Sequence, residues 1–404
     1  MAVSIPAVSH HSETASSEAE LGRILASEWP IYAVLIASVS IVIGLTWDIS
    51  WHRTIGRDTF WSPPHLIEQV AAIVAGLSCG YVALKTTFAG SETDRGNSVR
   101  FWRFFQAPVG VWVCIWGTIM MITSAPFDNW WHNAYGLDVK IISPPHMVLA
   151  SGMIGIQLGA MLMALGAQNR AERESDRQRL GIIFSFSAAV IVMMALIIAT
   201  EDASYANQMH SSGFYKATAI VVPVFLVAFA RASRLSWPAT RIAIVYMLMI
   251  LVSMWVLQLV PATPKLAPIY NPITRMVPPA FPLLLVFPAL ALDVLMKRFG
   301  DKRDWILSVA IGVVFVGVML LVHWPWSRFM LTENARNFFF GAGHWDYTSR
   351  LGPWRFEYWD RDLGANGKPS VVSLAIGLSI AVGIAVVSTR IGLAWGKGMA
   401  RIKR

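Results

Sequence analysis

Two short stretches of the chain each combine an aspartate, a histidine four residues later, and a second histidine that follows a Ser-Pro-Pro triplet. The stretches are WDISWHRTIGRDTFWSPPHL and FDNWWHNAYGLDVKIISPPHM. The residues concerned are Asp48, His52 and His65 in the first stretch, and Asp128, His132 and His146 in the second. Imidazole nitrogen and carboxylate oxygen together are ligands for copper, zinc, iron and manganese. Each stretch therefore predicts a transition-metal site.

The composition predicts that these residues belong to a membrane protein. Of the 404 residues, 55% are hydrophobic and only 14% are charged, and the mean hydropathy is +0.52. Roughly a quarter of the residues in a soluble domain are charged. Apolar runs of about 18 residues or more recur along the chain, which is the length that a helix needs to cross a bilayer. We predict an all-α, polytopic membrane bundle with the lipid bilayer as its first partner.

Ten transmembrane helices are predicted, nine of them within residues 30–323 and the last within residues 371–404. Their predicted ranges are 31–47, 65–84, 108–125, 146–165, 180–199, 217–230, 242–260, 278–296, 305–323 and 371–395. Both metal stretches, at residues 47–66 and 127–147, then connect two helices of a hairpin. The bundle is expected to be built partly from repeats of that hairpin.

The distribution of basic residues predicts the orientation. Lysine and arginine gather in the loops after predicted helices 2, 4, 6 and 8 and in the C-terminal tail. By the positive-inside rule both termini are cytoplasmic, in the inner (plasma) membrane, and both metal stretches face the outer, periplasmic side. This pattern also accounts for the net charge of +9 without a nucleic-acid partner. Residues 1–29 are rich in Ser and Glu and are predicted to be a disordered cytoplasmic tail without a cleavable signal peptide.

The Pro-Pro pairs predict where the second helix of each hairpin begins. Proline is favoured in the first turn of a helix, where its missing N–H is no loss. Ser62 is then a predicted N-cap, and His65 lies in the first turn of helix 2; Ser143 and His146 have the same relation to helix 4. The sequence at residues 277–280, VPPA, has the same form before predicted helix 8, with alanine in place of the histidine. We interpret it as a decayed third copy.

Other polar residues of the predicted outer face are weaker candidates. Residues 324–370 form a long loop dense in aromatic side chains, which predicts an ordered cap at the membrane interface. It contains His344, and the loop between predicted helices 5 and 6 contains Glu201, Asp202 and His210. His210 and His344 are the candidates for a third site, and His323 is predicted to be an interfacial residue.

The two cysteines are predicted to be structural. Cys79 and Cys114 both fall inside apolar segments, and the chain has no CxxC motif. Such residues are usually small buried hydrophobes. A framework of disulfides is excluded.

The spacing within each stretch predicts how the ligands converge. If helix 1 continues to His52, then Asp48 and His52 lie on one face, about 5–6 Å apart. His65 approaches from the start of helix 2, and Glu68 follows one turn later as a residue that could orient a ligand or bind the metal. Asp58 and its counterpart Asp138 are predicted to support the sites. The alternative is that these polar groups only hydrogen-bond each other within the membrane.

The first two hairpins resemble the C subunit of the copper membrane monooxygenases, the family of particulate methane and ammonia monooxygenases. Over residues 31–166, the spacing Asp-x3-His-x12-His of the first stretch matches that family's first copper site, and the words WHRTIGRDTFWSPPH are similar to it. The second stretch matches its Asn-x3-His-x13-His site, with Asp128 in place of the asparagine. Six further predicted helices have no match in that subunit.

The resemblance implies a function. Copper would bind Asp48, His52 and His65, which would be the catalytic residues, and a second transition-metal ion would bind the second stretch. The reaction would be O2-dependent hydroxylation of a small apolar molecule or ammonia, with electrons from a donor such as quinol and with companion monooxygenase subunits. Two alternatives remain open: a membrane protein that transports or handles transition metals, and a structural subunit of a larger complex. The sequence leaves open whether the chain is an enzyme.

Overall fold

Long apolar segments give the chain an almost entirely helical structure. The computed structural model describes residues 10–136, 143–200, 205–300, 303–359 and 361–403, with side chains in the first helix described from Glu28 onward. The helices are α1 (His10–Thr54), α2 (Pro63–Ala89), α3 (Glu92–Gly96), α4 (Val109–Tyr135), α5 (Pro144–Arg170), α6 (Glu174–Thr200), α7 (Ser212–Ala232), α8 (Pro238–Leu259), α9 (Val286–Phe299), α10 (Asp304–Met330) and α11 (Val371–Met399). Residues 10–29, which the sequence predicts to be disordered, thus form the first part of α1.

Within the described residues, nine helices are long and apolar enough to cross a membrane: every helix except α3 and α9, with Glu28–Thr54 as the spanning part of α1. The prediction of an all-α, multi-pass membrane bundle is confirmed. A short antiparallel hairpin, β1 (Val99–Phe101) with β2 (Phe105–Ala107), and α3 connect α2 to α4. We call the end of the bundle where α1 and α4 end and α2 and α5 begin the motif end.

The prediction of a helix over residues 278–296 is wrong in its first half. The Pro278-Pro279 pair does not open a helix here, and α9 begins only at Val286. Residues 277–284 form a non-helical segment without regular secondary structure, and side chains of neighbouring helices satisfy part of its backbone. Leu284 N–H donates to His323 Nε2 over 3.1 Å. Non-helical backbone is tolerated at membrane depth only where protein groups bind it.

His323 is therefore a structural residue rather than an interfacial one. It is completely buried in α10, and its Nδ1 donates to the carbonyl of Met319 over 3.1 Å. Its Nε2 accepts from Leu284, and Tyr246 Oη accepts from Leu283 N–H over 3.3 Å. The non-helical segment needs these two acceptors because a proline-rich backbone cannot form the internal hydrogen bonds of a helix.

Glycines bring α4 and α5 into direct backbone contact. A Cβ placed on Gly117 would lie 2.6 Å from the backbone nitrogen of Ile156, and one on Gly152 would lie 2.7 Å from the backbone of Gly117. Small residues at helix interfaces permit this close approach in membranes. The α4–α5 hairpin is consequently a tight unit, and α2 packs beside it.

Residues 331–370, which we call the cap, fold over the motif end between α10 and α11. The Arg53 guanidinium at the end of α1 pairs with Asp346 of the cap at 2.5 Å, and Tyr347 N–H donates to the Arg53 carbonyl over 3.2 Å. Asn207 Nδ2 donates to the carbonyls of Arg355 and Glu357 over 2.9 and 2.7 Å. These contacts join the cap to the first hairpin and to the α6–α7 connection.

Candidate metal centre at the motif end

Helix α1 carries the first two ligands of the first hairpin. It continues past Asp48 to Thr54, so Asp48 and His52 share a face, as the spacing predicts. Helix α2 begins at Pro63 and presents His65 from its first turn. Ser62 stands at the N-cap position, but its hydroxyl donates to the Thr59 carbonyl over 2.8 Å instead of capping the helix.

The three predicted ligands of the first hairpin come together with a fourth group. His65 Nε2 lies 3.1 Å from Asp48 Oδ1, and His52 Nε2 lies 3.7 Å from Asp48 Oδ2. Asp58, from the loop that joins α1 to α2, places its Oδ2 at 3.3 Å from His52 Nε2 and 3.4 Å from His65 Nε2. We call Asp48, His52, Asp58 and His65 the first site.

Asp58 is the residue whose role the sequence underestimates. One ligand atom each from Asp48, Asp58 and His65 lies within 4.8 Å of the others, which is close enough for one ion, while His52 stands just outside that group. The pKa of Asp58 is below its usual value because its carboxylate pairs with His52, an effect that outweighs burial. The sequence signal for Asp58 was its place in the Arg-Asp-Thr motif between the two histidines, from which only a supporting role was predicted.

The hydrogen bonds of His65 leave one ring nitrogen for the centre of the site. Its Nδ1 lies 3.0 Å from the Thr59 carbonyl, so we assign the N–H to Nδ1. In the neutral ring Nε2 is then a lone pair that faces two carboxylates. Asp48 Oδ1 is enclosed, and His65 Nε2, 3.1 Å away, can donate to it only when the ring carries a second proton. Acceptors facing acceptors require a proton or a cation between them.

The second hairpin repeats the arrangement, with a shorter distance from the aspartate to the first histidine and a longer distance to the second. His132 Nε2 lies 3.3 Å from Asp128 Oδ2, and His146 Nε2 lies 3.7 Å from Asp128 Oδ1. As in the first hairpin, the Oδ1 atom of the aspartate is enclosed and receives no hydrogen bond from the described residues. Ser143 accepts from the His146 N–H over 3.5 Å and caps α5. Asp138 lies outside the described residues.

Each hairpin contains a further shared element, a glycine four residues after the α1 or α4 histidine. Gly56 and Gly136 have φ angles of +80° and +90°. Positive φ is strained for every residue type except glycine, and it turns the chain away from the helix. The repeated word is therefore Asp-x3-His-x3-Gly followed by Ser-Pro-Pro-His.

Beneath the first site lies a buried carboxyl group. Glu68, one turn after His65, is 3% exposed, and its Oε1 has no hydrogen-bond partner in the part of the chain that the structure describes. Its side chain packs on Gly44 of α1, where a Cβ would come within 2.6 Å of Glu68 Cγ. The equivalent residue of the second hairpin is Leu149. Glu68 thus adds an acidic group to the first site alone.

The candidates for a third site have structural partners. The His210 ring is stacked between Trp324 and Tyr358, with centroid distances of 3.7 and 3.9 Å, and its Nε2 lies 3.0 Å from the Trp324 carbonyl. His344 Nε2 lies 3.0 Å from Gln258 Oε1. Neither belongs to a group of three or more His, Cys, Asp or Glu side chains that could hold an ion in the described residues. Glu201 and Asp202 lie outside them.

The fold and these contacts define the class: a multi-pass, all-α membrane protein with acidic and histidine side chains gathered at one end of the bundle. Comparisons with models of protein families, with curated proteins and with solved structures find no match to the chain.

Proposed function

We propose that the chain is a copper-binding membrane protein related to the C subunits of the copper membrane monooxygenases. The observation that carries the proposal is the pair of enclosed aspartate Oδ1 atoms, one in each hairpin, that lie beside imidazole Nε2 atoms and, while these imidazoles are neutral, receive no hydrogen bond from the described residues. The repetition matters because a single polar contact of this kind occurs in many membrane proteins. A cation beside each aspartate would satisfy the enclosed Oδ1 atom in both hairpins.

The charge of the first site favours a cation. Asp48 and Asp58 supply two negative charges, and neutral His52 and His65 supply two nitrogen ligands. With both imidazoles neutral, the two carboxylates carry a charge of −2, and a divalent ion compensates it. A set of two imidazoles and two carboxylates is suited to copper, zinc, iron or manganese, and we assign copper by the resemblance to the monooxygenase family.

The side chains of the first site have separate tasks in this proposal. Asp48, His65 and Asp58 hold the ion, and His52, which is half exposed, is the ligand that can move. The Thr59 carbonyl fixes the His65 ring through Nδ1, as such partners do for metal-bound histidines. Bound copper supplies the redox chemistry of O2 activation. Asp48, His52 and His65 are the residues we assign to catalysis.

The assembly follows from the same resemblance. We propose hydroxylation of a small apolar substrate or ammonia, a donor such as quinol in the bilayer, and companion monooxygenase subunits. We propose that the chain lies in the inner (plasma) membrane, and the positions of the basic loops support an orientation with both termini in the cytoplasm and the motif end in the periplasm. The second site then holds another transition-metal ion on the same side.

The test is the metal content of the full-length protein, purified in detergent, together with the copper spectrum. We expect bound copper with nitrogen and oxygen ligands in the wild type and its loss from the first site in Asp48→Ala and His65→Ala. Glu333→Gln, which changes an exposed carboxylate of the cap, is the matched control and should keep the metal. Wild-type protein that holds no more transition metal than Asp48→Ala would overturn the proposal.

Oxygen consumption separates the enzyme from its alternatives. Membranes that contain the chain and its companion subunits should consume O2 when a quinol and substrate are added, and Asp48→Ala should abolish this. If metal is bound but no reductant supports O2 consumption, the chain handles metal or stabilises a complex. A specific observation favours metal handling as the second candidate function: sulfur side chains meet deep in the bundle, as described next.

A further inference from the structure

Three sulfur atoms meet where α2, α4 and α5 pack together. The Cys79 thiol donates to Met163 Sδ over 3.9 Å, and the Cys114 thiol donates to the carbonyl of Ala75, one turn before Cys79 on α2, over 3.9 Å. Cys79 and Cys114 are completely buried and are not in a disulfide, and Met163 is 8% exposed. The sequence predicted that Cys79 and Cys114 are two separate small buried hydrophobes. It did not predict their association with Met163, because the three residues are far apart in the chain.

Glycines hold the sulfur atoms together. A Cβ on Gly159 would lie 2.7 Å from Cys114 Cβ, and a Cβ on Gly110 would lie 2.9 Å from Met163 Cγ. Cys114 of α4 is therefore pressed against the backbone of α5, and Met163 against the backbone of α4. The close packing of α4 and α5 therefore fixes the positions of Cys114 and Met163, and their proximity does not depend on side-chain rotamers alone.

We propose that Cys79, Cys114 and Met163 form a binding site for Cu(I) in the interior of the bundle. It is distinct from the sites at the motif end: Cys79 follows His65 on α2 by fourteen residues, which is about 21 Å along a helix. Thiolate and thioether are soft ligands that select Cu(I). The inference does not depend on the proposed monooxygenase function.

The geometry suits three-coordinate Cu(I). With a metal–sulfur bond of about 2.3 Å, the length known for zinc thiolates, three sulfurs in a plane around one ion lie about 4.0 Å apart. The observed separation between Cys79 Sγ and Met163 Sδ is 3.9 Å. The sulfurs of this pair need little movement to share an ion.

The charge balance favours a monovalent ion. Cu(I) replaces the proton of one thiol, so that one thiolate, one thiol and one thioether surround it and one proton is released. The complex is then neutral, as an interior of low dielectric requires. Zinc would need two thiolates for neutrality and a fourth ligand for its tetrahedral geometry.

Methionines at intermediate depth connect this site with the second hairpin. Met121 lies seven residues from both Asp128 and Cys114 on α4, so all three share a helix face at intervals of about 10 Å. Met153 of α5 lies seven residues after His146. Both methionines are buried, and Met121 packs on Gly152 beside Met153. They place thioethers between the motif end and the two thiols.

The test uses full-length Asp48→Ala/Asp128→Ala protein, in which both sites at the motif end are disabled. It is titrated anaerobically with Cu(I) against a coloured Cu(I) chelator. We expect one tightly held Cu(I) per chain, lost in Cys79→Ser and Cys114→Ser and weakened in Met163→Leu. Met161→Leu, which changes a buried methionine packed in a different cluster, should bind as the parent does.

X-ray absorption of the Cu(I)-loaded parent is the second measurement, and it needs no cysteine variant. Sulfur neighbours alone, at about 2.3 Å, are expected. The proposal is overturned if the parent holds no Cu(I), if Cys79→Ser keeps it, or if the neighbours are nitrogen or oxygen. Because the parent lacks the aspartates of the motif end, failure here is distinguishable from failure of the proposed function.

Discussion

The first two hairpins share a sequence motif, but the two motifs have different surroundings in the structure. In both, an aspartate and a histidine end a helix, a glycine with positive φ turns the chain, and a second histidine opens the next helix. The first hairpin is also tied to the rest of the molecule: the Ile55 carbonyl accepts from Lys265 N–H over 2.9 Å, and Gly56 lies against the Tyr347 ring. A Cβ on Gly136 would meet no atom of the described residues within 4 Å. The repeat supplies ligands, and the surroundings determine how firmly they are held.

The largest expected effect separates the two sites. Asp48→Ala should weaken metal binding at the first site by more than about a hundredfold, above the range for residues that only orient ligands. Asp128→Ala should remove metal from the second site and leave the first intact, because the hairpins carry separate ligand sets. Metal analysis with each single variant and the double variant checks this. Loss of all bound metal in either single variant would show that the two hairpins share one ion.

The next effect concerns the buried carboxyl group that only the first hairpin has. Glu68→Leu copies the second hairpin and should lower metal affinity at the first site about 10- to 100-fold. The apoprotein should unfold at the same temperature or higher, because a buried polar group without a partner is replaced by an apolar one. Competition with a chelator and thermal unfolding measure the two quantities. Unchanged affinity would exclude a supporting role for Glu68.

The converse change is its matched control. Leu149→Glu gives the second hairpin the missing carboxyl group, and we expect tighter cation binding there at the expense of apoprotein stability. If the glutamate raises metal affinity neither at the first site (wild type against Glu68→Leu) nor at the second (Leu149→Glu against wild type), the difference between the sites lies in the cap contacts.

A further effect, on stability rather than on metal affinity, compares the two glycines. Gly56→Ala should destabilise the fold by about 3 kcal/mol, because positive φ and overlap with the Tyr347 ring act together. Gly136→Ala has the strained φ alone and should lose only about 1 kcal/mol. Thermal unfolding of both variants in one detergent gives the comparison. Equal losses would mean that the Tyr347 contact adds nothing.

The smallest effect tests the tie between the cap and the first hairpin. The Arg53–Asp346 pair is partly exposed, with 16% and 31% of the two side chains accessible, so its coupling should be about 1 kcal/mol. A double-mutant cycle with Arg53→Met and Asp346→Asn measures it. We expect the same variants to lower the metal affinity of the first site and to leave the metal affinity of the second site unchanged. A coupling near zero would make the cap an independent unit.

Much of the fold follows from the sequence because it depends on local properties. Apolar length sets the membrane spans, and Pro63-Pro64 and Pro144-Pro145 mark the starts of α2 and α5 as predicted. The same rule fails at Pro278-Pro279. There, side chains of α8 and α10 accept backbone N–H groups of the residues that follow, which makes a non-helical segment possible. Nothing in residues 277–285 records those distant acceptors.

The sequence by itself determined the helical architecture and the ligand word, since i, i+4 spacing and a Pro-Pro helix start act over a few residues. Only the tertiary structure decided that Asp58 turns into the first site, that Glu68 is buried beneath it, and that His210 and His323 are held by structural partners. Tertiary packing alone also brought Cys79, Cys114 and Met163 together. The physical reason is that these contacts join helices and loops whose separation in the chain leaves no local pattern.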